Sequence, residues 1–216
     1  MDTPHDDDGC SMCGGPRRAG YTCCYCCSTL VRQLRLPLAP VVAMAEYRLG
    51  DLMHGRLRGY KDAPVAEVRR DHARRLAGLA VPWLEAHGRC LVERFGAEWD
   101  VVASVPSSCR PSGPPVDAVV SRIPVLSSRL RPVLVRGPDP LGHLVASRRG
   151  FELQASADRL GLRGRSVLVV DDSITTGARA QSAAAAIRLG GVEVVGILVL
   201  GRVVAHAGPS GPGREP

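Results

Sequence analysis

The chain has 216 residues and a formal net charge of +7, with 28 Lys and Arg against 21 Asp and Glu. This length suits one core domain with a small appendage, and no apolar run approaches the roughly 20 residues of a membrane span. The acidic start MDTPHDDDG lacks the regions of a secretory signal. We therefore expect a cytoplasmic protein. Aromatic residues make up only 4%, which argues against a base-stacking surface.

The positive charge is almost entirely arginine, because Lys61 is the only lysine. Arginine binds phosphate through a bidentate fork, so a basic surface fits a polyanionic substrate, and it fits nucleic acid as well. Frequent Arg, Ala, Pro and Gly can equally follow from a GC-rich genome. The charge alone therefore does not select a function.

Six of the eight cysteines lie between residues 10 and 27. In a reducing cytosol, Cys-x-x-Cys pairs indicate a metal site rather than disulfides, and two such pairs suit tetrahedral Zn²⁺. The candidate pairs are Cys10 with Cys13 first, and then either Cys23 with Cys26 or Cys24 with Cys27. Spacing does not separate the last two, and we prefer Cys24 and Cys27. A redox dithiol cluster or a site without metal is the alternative.

Four thiolates leave no open coordination position, so the predicted zinc site is structural rather than catalytic. A segment this short cannot build its own core, and the metal would supply its folding energy.

The first half of the remaining chain is predicted to be mainly helical. Residues 30–40 are typical of a helix or linker, and residues 41–47 of a hairpin or an edge strand. Residues 63–80 show the apolar spacing of an amphipathic helix. Pro82 is best placed in the first turn of a second helix that runs toward Phe95.

The second half alternates between strand and helix patterns. Strands are predicted at residues 100–105, 131–135 and 192–200, and a helix at residues 117–126. Residues 137–150 form a polar segment with Pro and Gly, suited to closing over a site.

The apolar run at residues 167–170 leads into Asp171 and Asp172. Such runs are typical of buried parallel strands, whose carboxyl ends carry the ligand sites of open α/β sheets. The turn at residues 173–177 then leads into an Ala-rich helix, whose N-terminus is suited to phosphate. Together these features fit a phosphorylated sugar with Mg²⁺. The plainer alternative is an ordinary strand–turn–helix with two solvated aspartates.

The run VLVVDDSITTGA resembles the diphosphoribose-binding motif of type I phosphoribosyltransferases. The resemblance implies their α/β fold, a twisted parallel sheet flanked by helices, and phosphoribosyl pyrophosphate with Mg²⁺ as ligand. It also implies that Asp171 and Asp172 act in catalysis by holding the ribose hydroxyls. The residues that would wrap the 5′-phosphate are Ser173, Ile174, Thr175, Thr176, Gly177 and Ala178.

The motif departs from the family at one place. The family often has a second Thr directly after the Gly or one residue later, where this chain has Ala178 and Arg179. Arg179 either replaces a hydroxyl contact with a charge or points to solvent.

The cysteine-rich segment narrows the resemblance to the ComF family, proteins linked to natural competence and DNA uptake. Those proteins typically join an N-terminal four-Cys zinc element to a type I phosphoribosyltransferase domain. The implied organisation is a disordered tail at residues 1–9, a zinc element at 10–30, a phosphoribosyltransferase-like domain at 31–205 and a disordered tail at 206–216.

The ComF resemblance adds further candidate residues. The family's pyrophosphate loop corresponds to Val105, Pro106 and Ser107, and Arg110 follows as a catalytic candidate. Lys61, in LRGYKD, is either a phosphate ligand or a surface lysine. Many ComF-like chains carry Arg-Gly-Phe-Asn-Gln where this chain has CRPSGPP. This departure weakens the prediction of activity more than the prediction of fold.

The predicted function is a phosphoribosyl transfer, in which a nucleophile attacks the anomeric carbon of phosphoribosyl pyrophosphate and pyrophosphate leaves. The alternative is a non-catalytic accessory protein of DNA uptake or recombination that keeps the fold as a ligand sensor. Its zinc element would then dock DNA-uptake proteins or single-stranded DNA. A purine or orotate salvage enzyme is disfavoured, because such enzymes rarely carry a Cys-rich leader. The sequence is compatible with an oligomer.

Overall fold

The structure is a computed structural model that describes residues 9–18, 20–107, 114–154 and 161–204. Its strands are β1 (Val41–Ala43), β2 (Glu46–Tyr47), β3 (Val101–Ser104), β4 (Leu134–Arg136), β5 (Phe151–Leu153), β6 (Ser166–Ile174) and β7 (Glu193–Val203). Its helices are α1 (Tyr25–Leu34), α2 (Leu52–Asp62), α3 (Ala66–Phe95), α4 (Asp117–Val120), α5 (Pro124–Ser127) and α6 (Ala178–Leu189).

Five strands form a parallel sheet in the order β1-β7-β6-β3, with β2 pairing β7 beyond β1. The predicted α/β architecture, a parallel sheet flanked by helices, is confirmed. The hairpin alternative at residues 41–47 is wrong, because β1 and β2 both run parallel to β7. The short strands β4 and β5 form a separate antiparallel pair.

The sheet is buried on both faces, which is why β6 and β7 are continuous apolar runs rather than alternating ones. Val167 and Val169 face a core layer that includes α6, α1 and the cysteine cluster. Leu168 and Val170 face a second layer built by α2, α3, α4 and α5. The two aspartates that follow Val170 therefore emerge between two helical layers.

Helix α6 is buried on almost every side, and its small side chains allow close packing. It contacts β6 and β7 on one side and α1 and β5 on the other. Close packing holds its N-terminus in place at the end of β6, where the predicted ligand site lies.

The prediction of a new helix at Pro82 is wrong, because α3 runs without interruption from Ala66 to Phe95. Proline removes one helical hydrogen bond and crowds the carbonyl four residues earlier, which here belongs to Gly78. Both Pro82 and Gly78 are exposed. Water can therefore bind the carbonyl that lost its partner.

Other boundaries also differ from prediction. The helix predicted at residues 117–126 is two short helices, α4 and α5. The segment at residues 137–150 leads into β5, which the pattern did not predict. In the described ranges, we find no helix that is both long enough and apolar enough to cross a bilayer.

The cysteine-rich segment packs against the edge of the sheet. The amide of Val41 in β1 donates to the carbonyl of Met12 at 2.8 Å, and Arg94 of α3 donates to the carbonyl of Ser11. Helix α1 crosses the proposed domain boundary at residue 30 and packs on α6. The proposed tails lie largely outside the described residues, although Gly9 forms a bridge with Pro16.

Candidate functional site

A cavity of about 340 Å³ opens at the carboxyl ends of β3 and β6. Ligand sites of open α/β sheets form at this edge, because the loops and helix N-termini that follow the strands meet there. In the described part of the chain, five segments line the cavity, namely the end of α2, the loop after β3, the residues just before α4, residues 142–143, and the β6–α6 connection.

Asp171 and Asp172 both line the cavity, although neighbouring residues of a strand face opposite sides of the sheet. Asp172 turns toward α2 and is 6% exposed. Asp171 turns toward α6 and accepts a hydrogen bond from the Asp172 amide at 2.9 Å. The cavity wraps around the end of the strand and reaches both carboxylates.

The carboxylate of Asp172 is held by groups from two elements. The Tyr60 hydroxyl and the Lys61 ammonium of α2 both contact its Oδ2, and the Ser173 hydroxyl donates to its Oδ1 at 3.1 Å. A buried carboxylate needs such donors, since an unpaired buried charge is costly. They fix its orientation at the cavity wall.

The second carboxylate, Asp171, lies in surroundings that disfavour its charged form. Burial raises its pKa to about 7, and the negative charge of Asp172 acts in the same direction. The positive charges of Arg179 and Lys61 oppose this rise. Asp171 therefore gains or loses its proton near neutral pH. In this pH range, a proton and the hydroxyl groups of a ligand would compete for the same carboxylate.

The turn after β6 begins later than predicted. Ser173 and Ile174 still pair with β7, so the turn comprises residues 175–177 and not 173–177. Gly177 has φ +84° and carries no side chain to cap α6. The first residues of α6 line the cavity, so this helix end is suited to an anionic group.

A polar segment borders the turn on its outer side. The Thr176 hydroxyl donates to the carbonyl of His143, and both residues line the cavity. The amide of Ala146 and the carbonyl of Leu144 are held by Gln33 of α1, at 2.8 and 3.0 Å. Helix α1 thus supports the segment that closes this side of the cavity.

The loop after β3 forms the opposite wall. The amide of Val105 donates to the carbonyl of Val170 at 3.0 Å, which keeps the loop aligned with β6. The carbonyl of Pro106 accepts a bond from Arg179 Nη2 at 2.6 Å. Arg179 lines the cavity and crosses it to this loop, so of the two alternatives left open for Arg179, the one in which it points to solvent is wrong.

Most of the residues predicted to bind phosphoribosyl pyrophosphate line this one cavity, namely Lys61, Val105, Ser107, Asp171, Asp172, Ser173, Ile174, Thr175, Thr176, Gly177 and Ala178. Pro106 does not line it and takes part through its carbonyl contact. Arg110 lies outside the described residues.

Sequence reasoning missed Tyr60 as part of the site, and Asp62 at the cavity wall. Tyr60 directly precedes Lys61 in LRGYKD, but nothing local shows that α2 reaches the end of β6. Close packing of α2 on α3 brings it there, and Gly59 permits this packing because a Cβ at its position would stand 2.4 Å from the His72 ring.

The N-terminal cysteines form a compact cluster. The sulfurs of Cys10, Cys13, Cys24 and Cys27 all lie within 4.8 Å of one another and are buried. The sulfurs of Cys13 and Cys24 are 3.8 Å apart, and tetrahedral zinc with bonds of about 2.3 Å separates its sulfur ligands by about this distance. The cluster therefore fits Zn²⁺.

The surroundings of the cluster favour the thiolate of Cys13 in particular, whereas burial raises the pKa of Cys24. Amides of Gly15 and Cys27 donate to the sulfurs of Cys13 and Cys24, each at 3.4 Å. A hydrogen bond with Cys27 and the nearby Arg202 guanidinium help to lower the pKa of Cys13 to about 4. Arg202 is buried and also donates to the Cys13 carbonyl.

The alternative pair, Cys23 and Cys26, is placed differently. Both are only half-buried, and neither belongs to the four-sulfur cluster, although Cys23 lies 3.9 Å from the sulfur of Cys10. Cys24 caps α1 and Cys27 lies in its first turn, so the helix start aims these two sulfurs inward.

Replacing Tyr60 by Phe is expected to destabilise the protein by about 2 kcal/mol, because it removes a hydroxyl donor to a buried carboxylate. The matched control is Tyr25→Phe, at a tyrosine that is 72% exposed. Urea denaturation of both variants measures the difference. Equal unfolding midpoints would show that the Tyr60–Asp172 contact contributes nothing.

The fold and the site define an α/β protein with a parallel sheet flanked by helices, an N-terminal four-cysteine cluster and a ligand cavity at the strand ends. No protein-family model matches the chain. It is similar to the adenine phosphoribosyltransferases of Rhodococcus opacus (strain B4) and Rhodococcus jostii (strain RHA1), with 39% and 38% identity over 64 residues. The matched part is 30% of this chain and 36% of each relative.

Proposed function

We propose that the cavity binds phosphoribosyl pyrophosphate with Mg²⁺ and that the protein is a phosphoribosyltransferase. The observation that carries the proposal is the meeting of two carboxylates, a helix N-terminus with glycine as its N-cap residue and a lysine in one cavity. The partial similarity to adenine phosphoribosyltransferases supports the same assignment. Together with the four-cysteine cluster, it also supports a ComF-like protein of the cytoplasm.

Each part of the cavity has a role in this proposal. Asp171 and Asp172 accept hydrogen bonds from the ribose hydroxyls, and the amides at the start of α6 hold the 5′-phosphate. Lys61 and the loop at residues 105–107 receive the pyrophosphate. Mg²⁺ enters as part of the substrate, bound to the diphosphate oxygens, and offsets their charge.

The chain contributes positioning and charge rather than a nucleophile of its own. The acceptor attacks the anomeric carbon, the bond from this carbon to the pyrophosphate oxygen breaks, and pyrophosphate leaves with the electron pair. An oxocarbenium-like transition state is expected, as in glycoside chemistry. Fixed carboxylates orient the ribose, and the cationic side chains stabilise the leaving group.

Calorimetric titration with phosphoribosyl pyrophosphate and Mg²⁺ tests the proposal. We expect binding by the wild type and at least about 100-fold weaker binding by the double variant Asp171→Asn with Asp172→Asn, since two charge-assisted contacts are lost. The control is Asp71→Asn, at a carboxylate paired with arginines on the exposed side of α3. Absent wild-type binding, or unchanged binding by the double variant, would contradict the proposal.

Turnover is measured as pyrophosphate release with a panel of nucleobases. Adenine is the first acceptor to test, because the similar proteins are adenine phosphoribosyltransferases. Release with any base supports a transferase. Binding without release would favour the accessory role described next.

The second candidate function is a non-catalytic accessory protein of DNA uptake or recombination. The cysteine-rich segment presents Tyr21 and Tyr25, which are 60% and 72% exposed, and the exposed Arg18. Although aromatic residues are few in the chain as a whole, these two tyrosines are exposed close to a cation, and single-stranded DNA binds such side chains by stacking and charge. Steeply salt-dependent DNA binding, reduced by Tyr21→Ala with Tyr25→Ala and without pyrophosphate release, would favour this role.

A further inference from the structure

The two walls of the cavity are bridged by one side chain that the type I motif does not predict. Arg179 is the second residue of α6, beside the proposed 5′-phosphate site. Its Nη2 donates to the carbonyl of Pro106 at 2.6 Å, in the loop on the opposite wall. A threonine at this position would be too short to make that contact.

The guanidinium also acts on the acidic pair. Asp171 is surrounded by charges from three elements, namely Asp172 on β6, Lys61 on α2 and Arg179 on α6. Arg179 and Lys61 lower the pKa of Asp171, against burial and Asp172, which raise it. Arg179 therefore favours the ionised carboxylate that ribose hydroxyls require.

We propose, resting on the function proposed above, that Arg179 holds the pyrophosphate loop in place through Pro106 and binds the diphosphate at the same time. A guanidinium has five donors in a rigid fork and can hold a carbonyl and a phosphate oxygen at the same time. It therefore holds the loop by Pro106 and presents positive charge to the diphosphate. The Arg179 guanidinium, which links the two walls of the cavity, thus takes the place of the threonine hydroxyl that the motif often has here.

The test uses the full chain and three substitutions. Arg179→Met removes the charge and the donors, whereas Arg179→Lys keeps the charge. The matched control is Arg188→Met, because Arg188 lies on the same helix and also donates to a proline carbonyl, that of Pro37. Calorimetry with Mg²⁺ measures the binding of inorganic pyrophosphate, ribose 5-phosphate and phosphoribosyl pyrophosphate.

We expect Arg179→Met to weaken pyrophosphate binding about 10- to 100-fold, the loss typical of a charge-assisted contact. Ribose 5-phosphate binding at high pH, where Asp171 is ionised in both proteins, should weaken clearly less than pyrophosphate binding, because the amides at the start of α6 still hold the 5′-phosphate. The pH midpoint for binding of phosphoribosyl pyrophosphate should rise in Arg179→Met and stay in place in Arg179→Lys and Arg188→Met. A purely structural role would weaken all ligands equally at every pH.

The outcomes separate this inference from the proposed function. If the wild type binds none of the three ligands, the proposed function fails. If the wild type binds them and Arg179→Met matches it in pyrophosphate affinity and pH midpoint, only the inference is overturned. Equal losses in Arg179→Met and Arg188→Met would also overturn it, because they would reflect general damage to α6.

Discussion

Replacing Cys24 by Ser is expected to unfold the N-terminal segment and, with it, to abolish ligand binding in the cavity. Cys24 takes part in the four-sulfur cluster and caps α1. Structural zinc contributes roughly 10–16 kcal/mol to the folding of small zinc modules. Zinc bound in this cluster would hold the segment together, and losing one of its four ligands would remove much of that stabilisation.

The effect should reach the cavity because α1 supports two of its walls. Leu30 is fully buried, and its Cδ1 lies 3.7 Å from where a Cβ on Gly177 would stand. Gln33 holds Leu144 and Ala146, beside the segment that contacts Thr176. The carbonyl of Leu34 accepts a bond from Arg148. Without α1, both the turn at residues 175–177 and this segment lose their packing.

The measurement compares thermal unfolding and calorimetric binding of phosphoribosyl pyrophosphate for Cys24→Ser, Cys26→Ser and the wild type treated with a zinc chelator. Cys26 is the matched control, since it is a neighbouring cysteine outside the cluster. We expect Cys24→Ser and chelation to behave alike and Cys26→Ser to resemble the wild type. The reverse order would identify the other cysteine pair as the ligands, and retained ligand binding after zinc loss would show that α1 is dispensable for the site.

Replacing Asp171 by Asn is expected to stabilise the unliganded protein at pH 8 while weakening ligand binding. The pKa of Asp171 is raised to about 7, chiefly by burial, so the folded state binds its proton more tightly than the unfolded state does. The stability contributed by this proton is complete below about pH 4, the unfolded pKa, and is lost as pH rises toward 7. At pH 8 the charged form costs stability that Asn does not.

Urea denaturation between pH 5 and 8 measures this effect. The wild type should lose stability relative to Asp171→Asn as pH rises, reaching a difference of about 1–3 kcal/mol at pH 8. The control is Asp51→Asn, because hydrogen bonds from the amides of His54 and Arg48 lower the pKa of Asp51. Removing the Asp51 carboxylate should therefore destabilise the protein at neutral pH, the opposite of the effect expected for Asp171→Asn. If Asp171→Asn is the less stable protein at pH 8, the burial argument is wrong.

The same carboxyl makes ligand binding pH-dependent. In the proposed complex, ribose hydroxyls donate to the ionised form, so we expect the affinity of the wild type for phosphoribosyl pyrophosphate to increase between pH 6 and 8. A side chain that destabilises the protein without ligand, and whose charge is compensated when the ligand binds, is typical of functional positions.

Local chemistry was sufficient to predict the main strand, the position of the acidic pair near its carboxyl end, and a four-cysteine cluster that includes Cys10 and Cys13. Apolar runs such as that before Asp171 pack in only a few ways, and two Cys-x-x-Cys spacings close together in a reducing compartment favour a metal site over disulfides. The prediction that a new helix begins at Pro82 failed because the outcome depends on solvent access, which is not a local property of the sequence. The sequence pattern does not show whether water can reach the carbonyl that proline leaves without a partner.

The amino-acid sequence by itself determined the parallel α/β class, the carboxylates at a strand end and the glycine-containing turn, because these depend on residue type and spacing along a few neighbouring positions. Only the tertiary structure decided that Tyr60 reaches Asp172, that Arg179 crosses to Pro106, and that Cys24 and Cys27 rather than their neighbours face the cluster. The physical reason is that these contacts join elements far apart in the chain. Helix packing determines their distances, and no local pattern encodes it.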